Sequence, residues 1–281
     1  MSWMQSSVVV LRWLLVFSHA CLAAVPLRIQ GLDKMNIAHN MPKWEEAQLS
    51  EVFRKHPLQR TKEKTDFSAS RSQFFEESRA LIKYFNGAIG GTFLELGALD
   101  GKLFSNTLVL EHKMQWKGIL IEGSPKSYNA LKANRPHQIT VNAVMCGRHG
   151  TVHYLEGARS CCRGVVEFML EEKRKSMKNA TNKILDVPCV PLSYIFESLN
   201  VKHINLFFLD VEGAEMSVLQ TIDYDSVTFD VMCVEGGKFR EQQYADFLQP
   251  KGYHLMNETV KKRKNTWFIH NKFHPNSVQQ S

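Results

Sequence analysis

The stretch GGTFLELGALDG, residues 90–101, constrains the fold more than any other part of the chain. A strand pattern at 92–96 runs directly into a turn that holds Gly97, Asp100 and Gly101. A strand ending in a glycine turn and feeding a helix opens an α/β sheet, and such sheets bind ligands outside the carboxyl ends of their strands. The pattern that follows keeps the alternation. Helices are expected at 108–114, 124–134, 191–199, 215–222 and 240–248, with another from Ser70, paired with Gln73 as a capping box, to Phe85. Strands are expected at 117–121, 138–144, 204–210 and 229–235, with an extra one at 151–156. The run INLFFLD at 204–210 is continuously apolar, as a strand buried on both faces of a parallel sheet must be. Segments 253–257 and 266–270 flank a basic turn as an antiparallel pair. The expected fold is α/β, a doubly wound, Rossmann-like sheet of about seven strands, mostly parallel and closed by a C-terminal antiparallel hairpin.

The turn narrows the cofactor. A dinucleotide site wants G-x-G-x-x-G, and the position of its second glycine is Leu99. A phosphate loop ends in Gly-Lys-Ser/Thr, and here Gly101-Lys102 is followed by Leu103. A cofactor without phosphate fits better. S-adenosylmethionine carries an ammonium, a sulfonium and a carboxylate; an acid at the strand tip, Glu95, suits the cations, and free amides at the next helix start suit the carboxylate. The second strand ends in Glu122, an exposed acid placed to accept hydrogen bonds from both ribose hydroxyls. Asn142-Ala143, after the third strand, is placed to contact adenine or to steady its own loop.

These words resemble a known family. FLELGALDG, SNT at 105–107, WKGILIEGSP at 116–125, Asn134-Arg135 and LDVEGAE at 209–215 are similar to the FkbM-type methyltransferase domain over about residues 70–270. The resemblance implies S-adenosyl-L-methionine as cofactor and O-methylation of a hydroxyl on a glycan-like or other small-molecule acceptor. It implies cofactor contacts from Glu95, Gly97, Ala98, Asp100, Gly101, Asn106, Glu122, Gly123, Asn142, Ala143 and Asp210. Where the family often has Glu-Pro after the second strand, this chain has Glu122-Gly123-Ser124-Pro125. The luminal animal Star-like proteins are similar too, so a non-catalytic trafficking or binding protein on the same fold is the alternative.

Methyl transfer to oxygen needs an acceptor held in line and its proton removed. Asp210 ends the fourth strand and is the candidate positioning group or base; Glu212 and Glu235 are candidate catalytic partners. Glu215 reads as a charge complementing the first turn of its helix. Clustered carboxylates also suit a divalent cation, though no ligand geometry is legible in the sequence. No histidine, His153 and His203 included, has a recognisable site spacing. The insertion at 157–188 carries no motif, is irregular apart from a helical look at 165–178, and is expected to shape the acceptor pocket.

The N-terminus places the chain. Arg12 leaves an apolar stretch at 13–25, the length of a signal-peptide core and short for a span. Residues 1–25 read as a signal peptide or signal-anchor giving possible membrane attachment through 8–25, 26–68 as a stem, 69–272 as the methyltransferase domain and 273–281 as a tail. The expected location is the secretory-pathway lumen or the exterior, in keeping with sequons at Asn179 and Asn257. There, disulfides form: Cys146 and Cys233 read as buried thiols, with a bridge from the Cys161-Cys162 pair to Cys189 as one option. The formal charge of +7 is not clustered like a nucleic-acid site, since its densest run, 261–264, falls in the expected hairpin turn.

Overall fold

The computed structural model describes residues 29–42, 51–60, 66–68, 70–73, 76–157, 164–169, 183–256 and 265–275. In chain order the strands are β1 (Ala38–Asn40), β2 (Gln59–Arg60), β3 (Ala88–Ile89), β4 (Thr92–Leu96), β5 (Lys117–Glu122), β6 (Ile139–Asn142), β7 (Val144–Met145), β8 (Gly150–Glu156), β9 (Gly164–Val165), β10 (Lys183–Val190), β11 (His203–Leu209), β12 (Thr228–Glu235), β13 (Tyr253–Leu255) and β14 (Asn265–His270). The main sheet has eight strands in the order β1-β6-β5-β4-β11-β12-β14-β13. Strands β6, β5, β4, β11 and β12 are parallel. β14 and β13 close one edge antiparallel, as expected of the hairpin.

The central strand shows why the apolar run reads as it does. All of β11 is buried. Its side chains alternate between the two faces, so Phe207 and Leu209 join one core and Leu206 and Phe208 the other. Helices cover both faces. Pro125–Asn134 begins as its sequence demands, with Pro125 in the first turn and the Ser124 hydroxyl accepting from the Ser127 amide at 3.1 Å. The helix expected from Ser70 starts later, at Glu76–Lys83; Ser70 turns its hydroxyl to that of Ser72 instead. The helix expected at 215–222 is the shorter Glu215–Leu219.

Three further expectations are corrected. Residues 26–68 are not merely a stem. β1 adds an antiparallel strand to the β6 edge, and Leu32, Ile37 and Phe53 are fully buried in the main core. A few apolar residues at irregular spacing suffice to cover a sheet edge, and so short a signal is invisible to periodicity. The end of the insertion is also ordered. β10 pairs with β8 from Lys183 to Cys189, within a second sheet of order β7-β10-β8-β9. Of the helical look at 165–178, the described part is β9, a single 3₁₀ turn at Val166–Phe168 and Met169. Lastly, Cys189 bridges to Cys146, because parallel pairing of β7 with β10 brings their Cα atoms to 5.8 Å. Cys233 is a buried free thiol. Cys161, Cys162, both sequons, residues 8–25 and the basic run 261–264 lie outside the described residues.

Candidate active site

The carboxyl ends of the parallel strands surround a cavity of about 630 Å³. Its floor is the meeting of two strand tips. Gly97, at φ +82°, lies so close to Asp210 that a Cβ there would sit 1.9 Å from the Asp210 carbonyl oxygen. Only glycine takes this backbone at no steric cost, and only glycine permits this approach. β4 therefore delivers its turn against the end of β11.

One wall comes from β5 and β6, with Ile121, Glu122, Gly123 and Ala143 facing the space. Glu122 was expected to be exposed, but it is 2% exposed. One carboxylate oxygen accepts from the Leu99 amide at 2.8 Å and the other from the Ser124 amide at 2.7 Å. It thus ties the glycine turn to the start of the next helix while lining the cavity. A carboxylate that lines the cavity is placed to accept from a ribose hydroxyl. Asn142 does not line the cavity. Its amide donates to the carbonyls of Glu122 and Gly123, which matches the loop-steadying reading.

Glu95 was expected to face cofactor cations, and its position is different. It is buried, and its carboxylate accepts from the Ser105 hydroxyl at 3.0 Å, the Asn106 amide at 2.7 Å and the Thr107 hydroxyl at 2.5 Å. Burial raises its pKa, against the pull of Arg135. Its role in this structure is to shape the loop after β4. The fully buried Arg135 completes that scaffold, donating to the Gly101 carbonyl at 3.0 Å and to the hydroxyls of Ser105 and Thr107 at 3.1 Å, and pairing with Glu111. Asp100 spends an oxygen on the amides of Lys102 and Leu103. Neither it nor Ala98 and Gly101 lines the cavity, whereas Gly97 and Asn106 do.

The remaining carboxylates gather at the ends of β11 and β12. Asp210 is exposed by area because the cavity opens over it, yet the protein packed around it excludes much of the water. Desolvation, then the charge of Glu235, raises its pKa well above the ordinary carboxylate range. Glu212, at φ +57°, also lines the cavity. Glu215 stands in the first turn of its helix, as expected, but inside the protein. It is 1% exposed and accepts from the Gly213 amide at 2.9 Å and from Arg240 at 2.7 Å.

Among the described residues, Asp210, Glu215 and Glu235 bring carboxylate oxygens within 4.8 Å of one another. A hard divalent cation wants about six to eight oxygens. Both oxygens of Glu215 are already engaged, by backbone amides and by Arg240. The set does not fit a cation. S-adenosylmethionine does fit. The cavity is concave and large, with a close-approach glycine at its floor. Asp210, Glu122 and Glu212 line it, a negative surface for a cofactor of net positive charge.

Several lining residues carried no legible sequence signal. Leu103 and Phe104, 49% and 41% exposed, stand on the loop that Glu95 and Arg135 hold. Tyr154 of β8 and Val165 of β9 come from the second sheet. Arg135 was visible only as part of a family word, with no role attached.

The family described as "Methyltransferase FkbM domain" matches residues 95–257, more than half the chain. Among solved structures, the FkbM methyltransferase of Methylobacillus flagellatus KT is similar at 9% identity and TM-score 0.38, covering 64% of this chain and 43% of that one. A precorrin-6y C5,15-methyltransferase from Geobacter metallireducens GS-15 is similar at 11% identity and TM-score 0.37, covering 73% and 94%. A TehB-like SAM-dependent methyltransferase from Corynebacterium glutamicum ATCC 13032 Kitasato is similar at 12% identity and TM-score 0.38, covering 73% and 92%. No curated protein matches the sequence.

Proposed function

The chain belongs to the FkbM methyltransferase family, and we propose that it transfers a methyl group from S-adenosylmethionine to a hydroxyl oxygen of a glycan-like acceptor in the secretory pathway. The observation that carries this reading is the placement of Asp210. It stands on the cavity floor beside the glycine turn, and it also borders a second, smaller space that reaches Glu235.

When bound, the cofactor supplies an electrophilic methyl group. The residues of this chain then divide the work. Glu122 and the Gly97 turn form the wall on which ribose and backbone-seeking groups would rest. Asp210, with Glu235 beside it, supplies carboxylate charge at the acceptor side, and burial raises the pKa of Asp210 and with it its basicity. That charge accepts the hydrogen bond of an incoming hydroxyl and takes its proton as the oxygen is alkylated. Apolar lining residues such as Leu96, Ile121 and Val218 limit water, which would compete as acceptor.

The test is direct. Calorimetry of the secreted full-length protein with S-adenosylmethionine should show micromolar binding, and labelled methyl should transfer to members of a glycan panel. Binding without transfer to any hydroxyl acceptor would refute O-methylation, and absence of binding at millimolar cofactor would leave the Star-like trafficking role in its place.

Localisation rests on the sequence, since residues 8–25 and both sequons fall outside the described residues. Among the described residues no helix is long and apolar enough to cross a membrane. A glycosidase-sensitive mobility shift, abolished by Asn179→Gln with Asn257→Gln, is the expected result. Recovery of unshifted protein from the cytosol would overturn the secretory reading.

A further inference from the structure

The loop that follows β4 carries a tip of three exposed residues, Lys102, Leu103 and Phe104. Ile82 and Ile184, the other large apolar side chains exposed among the described residues, each stand alone, whereas Leu103 and Phe104 are adjacent. The tip is pinned at both feet. On one side Asp100 accepts from the amides of Lys102 and Leu103, and Arg135 donates to the Gly101 carbonyl. On the other, Glu95 accepts from the Ser105 hydroxyl and the Asn106 amide. Phe104 is kept at φ +58°, a backbone that a bulky residue holds only where its surroundings over-determine it.

We infer that this tip docks on a lipid bilayer, with Leu103 and Phe104 entering the headgroup region and Lys102 meeting anionic headgroups. Docking holds the mouth of the cavity at the membrane surface. The inference goes beyond the methyl-transfer reading and rests on the membrane attachment expected of residues 8–25.

The tether comes first. The chain enters the sheet through β1, which runs antiparallel to β6 with Ala38 opposite Asn142, the last residue of β6. The entry therefore lies at the carboxyl edge of the parallel strands, the edge on which the cavity opens. β4, which delivers the tip to the same edge, is three strands from β1, about 14 Å at the usual strand spacing. Residues 26–28 alone separate the apolar stretch at 13–25 from the helix Ile29–Lys34, and three residues reach at most about 10 Å. A membrane-held 13–25 thus brings this edge to the bilayer, and this tether favours a bilayer over a protein partner.

Chemistry comes second. Interfacial binding grows with the apolar area buried and with the attraction of basic side chains to anionic lipid. Leu103 and Phe104 supply the first. Lys102 supplies the second, together with the exposed Lys126 in the first turn of Pro125–Asn134, which begins at the same edge. A loop already fixed by its pins loses little freedom on insertion.

The experiment is hydrogen exchange read by mass spectrometry on the full-length protein, with vesicles of phosphatidylcholine alone or mixed with phosphatidylserine. Mixed vesicles should protect the amides at 102–104 and leave those at 223–227, in the turn before β12 at the opposite edge, unchanged. Lys102→Gln, outside the cavity lining, should lower the docking constant, read as protection against lipid concentration, by about fivefold, the share of one basic residue near an anionic surface. Its affinity for S-adenosylmethionine in calorimetry should change by less than about threefold. Absence of protection at the tip, equal protection at 223–227, or unchanged docking in Lys102→Gln would each overturn the inference. Protection of the tip without vesicles as protein concentration rises would overturn it too, and assign the tip to a second copy. Loss of cofactor binding in the parent would count against methyl transfer and an absent glycosidase shift against the secretory route, while the tip readout alone decides the docking.

Discussion

Replacing Gly97 with alanine tests the feature on which the whole site depends, the contact between two strand tips. The cost has two parts. At φ +82° an alanine pays about 1–2 kcal/mol for the left-handed backbone. Its Cβ would also sit 1.9 Å from the carbonyl oxygen of Asp210 and 3.1 Å from the carbonyl carbon. Both atoms are main chain, and the Asp210 amide is itself bonded to Leu96 at 3.3 Å, so neither can swing aside. Overpacking of this kind costs about 1–3 kcal/mol. The sum is about 2–5 kcal/mol, and at about 2–4 °C per kcal/mol the melting temperature should fall by roughly 4–20 °C. Gly87 provides the control, because its φ is +74° but nothing lies within 4 Å of an added Cβ. Gly87→Ala should pay the backbone part alone, roughly 2–8 °C. Melts of both variants at one pH are the assay, with methyl transfer read beside them, since Asp210 must move in the first variant and not in the second. If the two melt within about 1 °C of each other, the close approach of β4 and β11 is wrong.

Asp210→Asn should leave cofactor affinity within a few-fold but lower methyl transfer by about 10²–10⁴ in a labelled-methyl assay, and unchanged turnover would remove Asp210 from the chemistry. The same variant has a pH signature. The folded pKa of Asp210 is raised, so the folded state holds its proton more tightly, and the stability this gives is present at low pH and lost as pH rises through the raised value. Asp210→Asn should therefore melt above the parent at neutral pH, with the gap closing as the pH approaches 4, and a gap that widens on acidification would contradict this. Glu122→Ala should weaken S-adenosylmethionine on the order of a hundredfold in calorimetry and also lower the melt, because the amides of Leu99 and Ser124 each lose a partner at about 1–3 kcal/mol; equal affinity would refute the ribose role. Cys189→Ser opens a loop of 43 residues and should cost about 4 kcal/mol, while failure to recover a Cys146–Cys189 linked peptide by mass spectrometry would refute the pairing.

The order of strands and helices was legible in the sequence because period and punctuation are local. The apolar run of β11, the glycine after β4, and Ser124-Pro125 opening a helix each announce one element through its own residues. The carboxylates at strand ends, Glu122, Asp210 and Glu235, were legible for the same reason, since a parallel sheet brings all such ends to one edge. What each one does was not, because partners come from far along the chain. Glu95 looked like a cofactor ligand until Ser105, Asn106 and Thr107 turned back onto it, and Glu215 showed only its place in the first turn of a helix until Arg240, 25 residues on, came to meet it. Sheet edges were equally silent: β1 came from a segment that reads as a stem, and β10 from one that reads as a loop, because backbone pairing needs only a neighbour and leaves little mark on side-chain pattern. The smaller space beside Asp210 is the extreme case. Gln73, Phe104, Glu235 and Asn265 share no sequence neighbourhood and meet only because the helix Glu76–Lys83 and β14 are brought against the tips of β11 and β12. The chain thus specified its alternating elements and its row of acids through local spacing, while the assignment of those acids to scaffold or to chemistry was decided by long-range packing, which sets what each carboxylate can reach.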